Sequence, residues 1–131
     1  MKVLIFQSGE PLHIDPNIRP MRAVNLANKF IERGHEVLLI SSKFDHFSKK
    51  HRKSKNIIKI NNRLRIMLLD SPGYKKNIGL NRLWDHLILS LKLAFKLILK
   101  KIPEHDIFII GFPPIETSFI LSLWGKLNGI P

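Results

Sequence analysis

The chain of 131 residues contains no cysteine. That excludes disulfide bonds, zinc–thiolate sites and cysteine nucleophiles, and it fits a reducing compartment. Acidic residues are scarce: 10 Asp and Glu stand against 22 Lys and Arg, a formal net charge of +12. No uninterrupted apolar run approaches the roughly 18 residues of a membrane-spanning helix. The N-terminus also lacks the charged, then apolar, then small order of a signal peptide. A cytoplasmic location is therefore expected. Glycine is missing where a dinucleotide fold needs it. The first strand-to-helix loop holds only Gly9 in place of G-x-G-x-x-G, which disfavours an NAD or FAD site and a small oxidoreductase. There is no G-x-S-x-G for a hydrolase elbow and no H-E-x-x-H, and the six histidines are scattered, so no metal site is expected.

What is present suffices for one domain with a real core, since 44% of the residues are hydrophobic. Lys2-Val3-Leu4-Ile5-Phe6 reads as a strand buried on both faces. After a loop over residues 7–19, Pro20 suits the first turn of a helix with Ala23, Leu26, Ala27, Phe30 and Ile31 at helical spacing, capped by Gly34. Glu36-Val37-Leu38-Leu39-Ile40 is a second strand, completing a βαβ unit with parallel strands and a right-handed crossover. Residues 57–69 predict a short hairpin or extended arm feeding a further strand. A helix over about 81–101 follows, then a strand at 106–110, the turn Gly111-Phe112-Pro113-Pro114, and a helix over 115–128 closed by Gly129. The alternation predicts an α/β fold with a three-layer parallel sheet. The chain stops where the next strand of such a sheet would begin, which suggests an incomplete domain.

Open α/β sheets bind ligands at the carboxyl ends of their strands. The candidates there are Gly9, Glu10, Arg19 and Arg22 from the first loop, with Arg19 and Arg22 spaced to present two guanidinium groups to one phosphate. Gly111, Pro113 and Pro114 precede a helix N-terminus whose free N–H groups suit a sugar hydroxyl or a phosphate. Nine basic residues and a single acid, Asp45, fall between residues 43 and 65. Such a block fits anionic lipid, nucleic acid or a phosphorylated substrate, or equally a solvated connecting segment. Only Phe44 and Phe47 offer stacking there, and no recognition motif is present, so a basic nucleic-acid-binding module is the alternative and nucleic acid is not the expected partner.

On a helical wheel, residues 82–101 divide into two arcs. Arg82, Asp85, Lys92, Lys96 and Lys100 share one; Leu83, Trp84, Leu87, Ile88, Leu91, Phe95 and Ile98 lie in the other. Leu89 and Leu93 fall among the lysines. Leu89, Lys92, Leu93 and Lys96 together suit the interface of an anionic membrane; the competing reading is a core helix of the sheet's outer layer.

Several segments in order resemble the N-terminal domain of family-4 glycosyltransferases of the GT-B fold, closest to bacterial enzymes of cell-surface polysaccharide synthesis. They are Met1–Phe6 with the Gly-containing loop, Arg19-Pro20-Met21-Arg22-Ala23, Asn25-Leu26-Ala27 and Arg33-Gly34-His35-Glu36-Val37. Ser71-Pro72-Gly73-Tyr74, Asn77, Gly79, Arg82-Leu83, Trp84-Asp85-His86, Gly111-Phe112-Pro113-Pro114 and Gly129-Ile130-Pro131 continue the likeness over nearly the whole chain. The resemblance implies that the chain holds a lipid-linked or saccharide acceptor, with Tyr74 and Asn77 joining the binding residues. It also implies a retaining transfer without a required metal, from a nucleotide-sugar held by a second Rossmann-like half. That half is absent, so a missing C-terminal half or a partner chain supplying it is expected, the chain is expected to be inactive alone, and it would sit at the inner face of the cell membrane. Some relatives carry a histidine in the turn where this chain has Gly111 and Phe112, so no catalytic residue carries over.

Overall fold

A computed structural model describes residues 1–16 and 19–131. Among the described residues seven strands and three helices follow in the order β1 (Lys2–Phe6), α1 (Arg22–Glu32), β2 (Glu36–Ser42), β3 (Phe44–Asp45), β4 (Lys50–His51), β5 (Ile57–Lys59), β6 (Leu64–Leu69), α2 (Leu80–Ile98), β7 (Ile107–Ile110) and α3 (Ile115–Leu127). The main sheet has the order β5-β6-β2-β1-β7. β6, β2, β1 and β7 are parallel, whereas β5 runs antiparallel to β6. The sheet is therefore mixed, because residues 60–63 are too few for a parallel crossover and return the chain as a hairpin. The side chain of Asn61 makes that turn by accepting the N–H groups of Arg63 and Leu64, at 2.8 Å each.

Alternate residues of each strand feed the two faces. Val3, Ile5, Val37, Leu39, Ile66 and Leu68 pack with Ala23 and Ala27 of α1 on one side. Leu4, Phe6, Leu38, Ile40, Met67 and Leu69 pack with Leu89, Leu93 and Leu97 of α2 and Leu121 of α3 on the other. The three-layer α/β arrangement is compatible with a Rossmann-like fold. Between β1 and β7 the strand order reverses, since α1 carries the chain one way from β1 and α2 brings it back the other way to β7.

α1 starts later than its Pro20 signal suggests, with Met21 as N-cap and Arg22 as the first helical residue. Gly34, at φ +87°, follows the C-cap, a conformation that glycine adopts without steric cost. The basic block is not merely a connector, because it contains the small β3–β4 hairpin. On the outer side of β7, the Phe108 N–H donates to the Pro131 carbonyl at 2.9 Å.

The facing of α2 corrects the membrane assignment of Leu89 and Leu93. Both are fully buried, in one row with Asp85 and Leu97 at four-residue spacing, while Lys92 is exposed and Lys96 half-buried. The wide apolar arc looks outward instead: Leu83, Trp84, Leu87, Leu91, Phe95 and Ile98 are all exposed. The lock on this rotation is polar. Asp85, 3% exposed, accepts the Gly73 N–H at 2.6 Å from the loop that leads into the helix.

Candidate functional site at the carboxyl ends of the strands

The loop after β1 is built around buried charges. Glu10 is 4% exposed; its carboxylate accepts the Ala23 N–H at 2.9 Å and the Arg22 Nε–H at 3.0 Å. It thus fills the N-terminus of α1, where free N–H groups and the helix dipole favour negative charge. Asp15 accepts the Leu12 N–H and is held by both arms of Arg52, Nε at 2.7 Å and Nη2 at 2.6 Å. Arg52 also donates to the carbonyl of Ser42, and Asp45 lies 3.7 Å away. The first loop is therefore stapled to the β3–β4 hairpin by a nearly dry ion pair.

Two expectations change on this geometry. Glu10 is a helix-capping group, committed to α1 and not free to meet a ligand. Arg19 and Arg22 do not form one guanidinium clamp: α1 begins only at Arg22, so Arg19 lies outside the helix, and the Arg22 Nε–H is bonded to Glu10. Among the described residues other than its chain neighbours, none comes within 4 Å of where a β-carbon on Gly9 would stand.

The turn after β7 adjoins the turn after β1. The Gly111 N–H donates to the Phe6 carbonyl at 2.7 Å, and the Ser8 hydroxyl reaches the Pro113 carbonyl at 3.5 Å. A β-carbon on Gly111 would fall 1.4 Å from Oε1 of Gln7, which is itself 5% exposed. Gln7 thus packs onto the turn and fills the notch between the two strand ends. The Phe112–Pro113 and Pro113–Pro114 peptide bonds are both cis. Pro114 is buried as the N-cap of α3, and its carbonyl accepts the hydroxyls of Thr117 and Ser118.

A polar and aromatic cluster stands on the same edge of the sheet, drawn from the loops after β2 and β6 and the first turns of α2. Tyr74 is its centre. The Tyr74 hydroxyl pairs with His46 Nδ1 at 2.6 Å, and Phe44 packs on the ring at 5.0 Å between centroids. The Lys49 ammonium lies 4.7 Å and the Arg82 guanidinium 5.8 Å from the ring centre, and His86 meets the ring edge-on at 6.3 Å. Asn77 joins two of these cations, its side chain accepting from Lys49 and its carbonyl from Arg82 Nη1 at 2.6 Å. Among the described residues, the buried Nε of Arg82 has no hydrogen-bond partner. Gly73 makes the cluster possible: at φ +79° it turns the chain, and a β-carbon there would strike the Phe44 ring at 2.6 Å.

Burial lowers the pKa of His46 below the ordinary 6.5, helped by Lys49 and Arg82. Burial also lowers that of His86, again helped by Arg82, with Asp85 and Glu116 of α3 opposing. Burial raises the Tyr74 phenol above 10.0, so it stays a neutral donor near neutrality. The cluster therefore gathers two cations and two imidazoles around a buried phenol already engaged by His46, and its cations suit an anionic oxygen-rich group.

Tyr74 and Asn77 thus come together, as do Gly111 and Pro113 with the first loop, while Arg19 is exposed outside α1. Sequence reasoning missed His46, Lys49, Arg82 and His86 as one group. The only signal for them was the basic block and the Arg82 to His86 motif, read separately. Two clefts lie apart from this cluster. One of about 900 Å³, lined by Met1, His105, Asp106 and Trp124, is at the amino ends of the strands. Another of about 510 Å³ lies between α2 and β6. Among the described residues, no three His, Cys, Asp or Glu side chains are grouped to hold a metal ion.

Compared with known protein families and with curated proteins, the chain matches none.

Proposed function

We propose that this chain is the acceptor-side part of a retaining, GT-B-type glycosyltransferase, and that its ligand is a sugar carried on a diphosphate-linked lipid or a related saccharide. One observation carries the reading: Lys49, Arg82, Tyr74 and Asn77 converge at the carboxyl ends of the parallel strands, on the same edge of the sheet as the paired turns at Gln7 and Gly111. Two cations around a phenol suit a diphosphate, and the half-buried polar backbone at Ser8 and Gly9 suits sugar hydroxyls. The nucleotide-sugar would be held by a second α/β unit, on this polypeptide or on another. Without that unit the reacting groups are not brought into line, so no transfer is expected from these residues alone. The nucleic-acid alternative is weakened by the lack of stacking surface in the basic block, where Phe44 is buried and Phe47 alone of the two phenylalanines is exposed.

Calorimetric titration with a short-chain polyprenyl diphosphate bearing one sugar tests this. Binding is expected, competed by inorganic diphosphate and reduced about tenfold or more by Arg82→Gln. A UDP-sugar should produce no heat. Binding of the nucleotide-sugar with none of the diphosphate lipid would overturn the proposal.

A further inference from the structure

At the opposite end of the sheet from the Tyr74 cluster, where β1 and β7 begin, lies the cleft of about 900 Å³. That size accommodates several linked rings, since small-molecule pockets run from roughly 300 to 1,000 Å³. Its floor is apolar. Leu97 at the end of α2 and Ile102 just beyond it are buried, and Phe108 of β7 and Trp124 of α3 are half-buried beside them. Polar groups ring that floor. Among the described residues, the buried Nδ1 of His105 has no hydrogen-bond partner. Burial lowers the pKa of this imidazole below 6.5, so near neutrality the ring has one nitrogen that donates and one that accepts. Asn128 donates from Nδ2 to the Trp124 carbonyl at 2.8 Å, which fixes its amide one turn along the helix from the indole. Asp106 accepts the Lys2 N–H at 2.6 Å, which holds its carboxylate on the exposed rim.

Charge decides against a phosphate here. The chain carries +12, yet the ionised side chains lining this cleft are Lys2 and Lys100 against Glu36, Glu104 and Asp106. Three carboxylates beside two ammonium groups give an anion no net attraction, and they still accept from hydroxyls. Only a ligand running on into the adjoining cavity of about 270 Å³ meets Lys59, Arg63 and Arg65. A hydrocarbon chain would leave the carboxylates and the His105 nitrogen unpaired. A pyranose ring meets both demands: its C–H face lies on an indole, and its hydroxyls donate to carboxylates and accept from an amide or an imidazole.

We propose that this cleft binds an uncharged oligosaccharide, one sugar ring lying on Trp124 with its hydroxyls shared among His105, Asn128 and Glu104. The site uses no residue of the Tyr74 cluster and does not rest on the sugar-transfer reading. A saccharide bound there lies at the far end of the strands from that cluster, so the cleft is a hold on a glycan chain and not a place of reaction.

Titration followed by indole fluorescence tests it. The chain has two tryptophans, and Trp84 is exposed on α2, so Trp84→Phe leaves Trp124 as the sole reporter. In that variant at least one of cellotriose and maltotriose should change the emission saturably, half-complete near about 1 mM, and glucose should need about tenfold more. Adding Asn128→Ala, at an exposed position, should weaken the trisaccharide about threefold or more with an unchanged circular dichroism spectrum. Amide shifts at His105, Asn128 and Ile130 should follow the same titration in the unaltered chain, with Tyr74 and Arg82 unmoved. No saturable change with either trisaccharide would overturn the proposal. So would undiminished binding after Asn128→Ala, amide shifts confined to other parts of the molecule, or tighter binding of trigalacturonate, which would assign the cleft to an anion.

Discussion

Gly111 and Arg52 show how individual positions hold the functional edge together. The Gln7 side chain fills the space that a β-carbon on Gly111 would need, and the Phe6 carbonyl oxygen is only 2.9 Å from that point. The amide can swing away, but the backbone oxygen cannot without moving β1. Gly111→Ala is expected to cost about 1–3 kcal/mol in urea unfolding, and Gln7→Ala in the same chain should recover part of it. Arg52 belongs to a pair whose side chains are 6% and 11% exposed. Arg52→Met leaves Asp15 buried and uncompensated, and a loss of about 3–5 kcal/mol is expected by the same measurement, against under about 0.5 kcal/mol for the exposed Lys53→Met. The histidines add a pH dependence. His46, His86 and His105 all have pKa values lowered chiefly by burial, so in the window just below 6.5 the unfolded chain binds more protons than the folded one. Their contribution is complete above 6.5 and is lost as pH falls through that window. The midpoint of thermal unfolding should therefore drop on acidification, and less steeply in a His46→Gln, His86→Gln double variant, where His105 still acts.

Among the elements, α2 departs furthest from its own amphipathic pattern. Burying the wider apolar arc is the default for a surface helix. Here the inward row is Asp85, Leu89, Leu93 and Leu97. Leu93→Ala should therefore cost about 2–5 kcal/mol and Leu91→Ala less than about 0.5 kcal/mol, the reverse of what the wheel suggests. The strands were far more legible. Runs such as Val3 to Phe6 and Val37 to Ile40 can only be buried on both faces, which fixes a parallel core sheet flanked by helices. Gly34 and Gly129 likewise mark real helix ends, both at positive φ. The rotation of α2 was not legible because apolar residues occur all round the helix, and the narrower row Leu89, Leu93 and Leu97 is turned inward together with Asp85, which accepts the Gly73 N–H. The cluster around Tyr74 was hidden too. His46 and Lys49 sit in a segment whose charge looks generic, and only the pairing of β3 with β4 carries them to Tyr74.

For the molecule as a whole, strand order puts the chemistry at one edge and the apolar surface on one side. The reversal between β1 and β7 lies beside the turns at Gln7 and Gly111, and the Tyr74 cluster continues that edge towards α2. The amino-end cleft of about 900 Å³ by His105 and Trp124 holds Lys2 and Lys100 but no phenol. Amide chemical-shift mapping with the polyprenyl diphosphate sugar distinguishes the two places directly. The account predicts shifts concentrated at Ser8, Gly9, Tyr74, Asn77, Arg82 and Gly111. Shifts gathered instead at Lys2, Glu36, His105 and Asn128, with those amides silent, would contradict it.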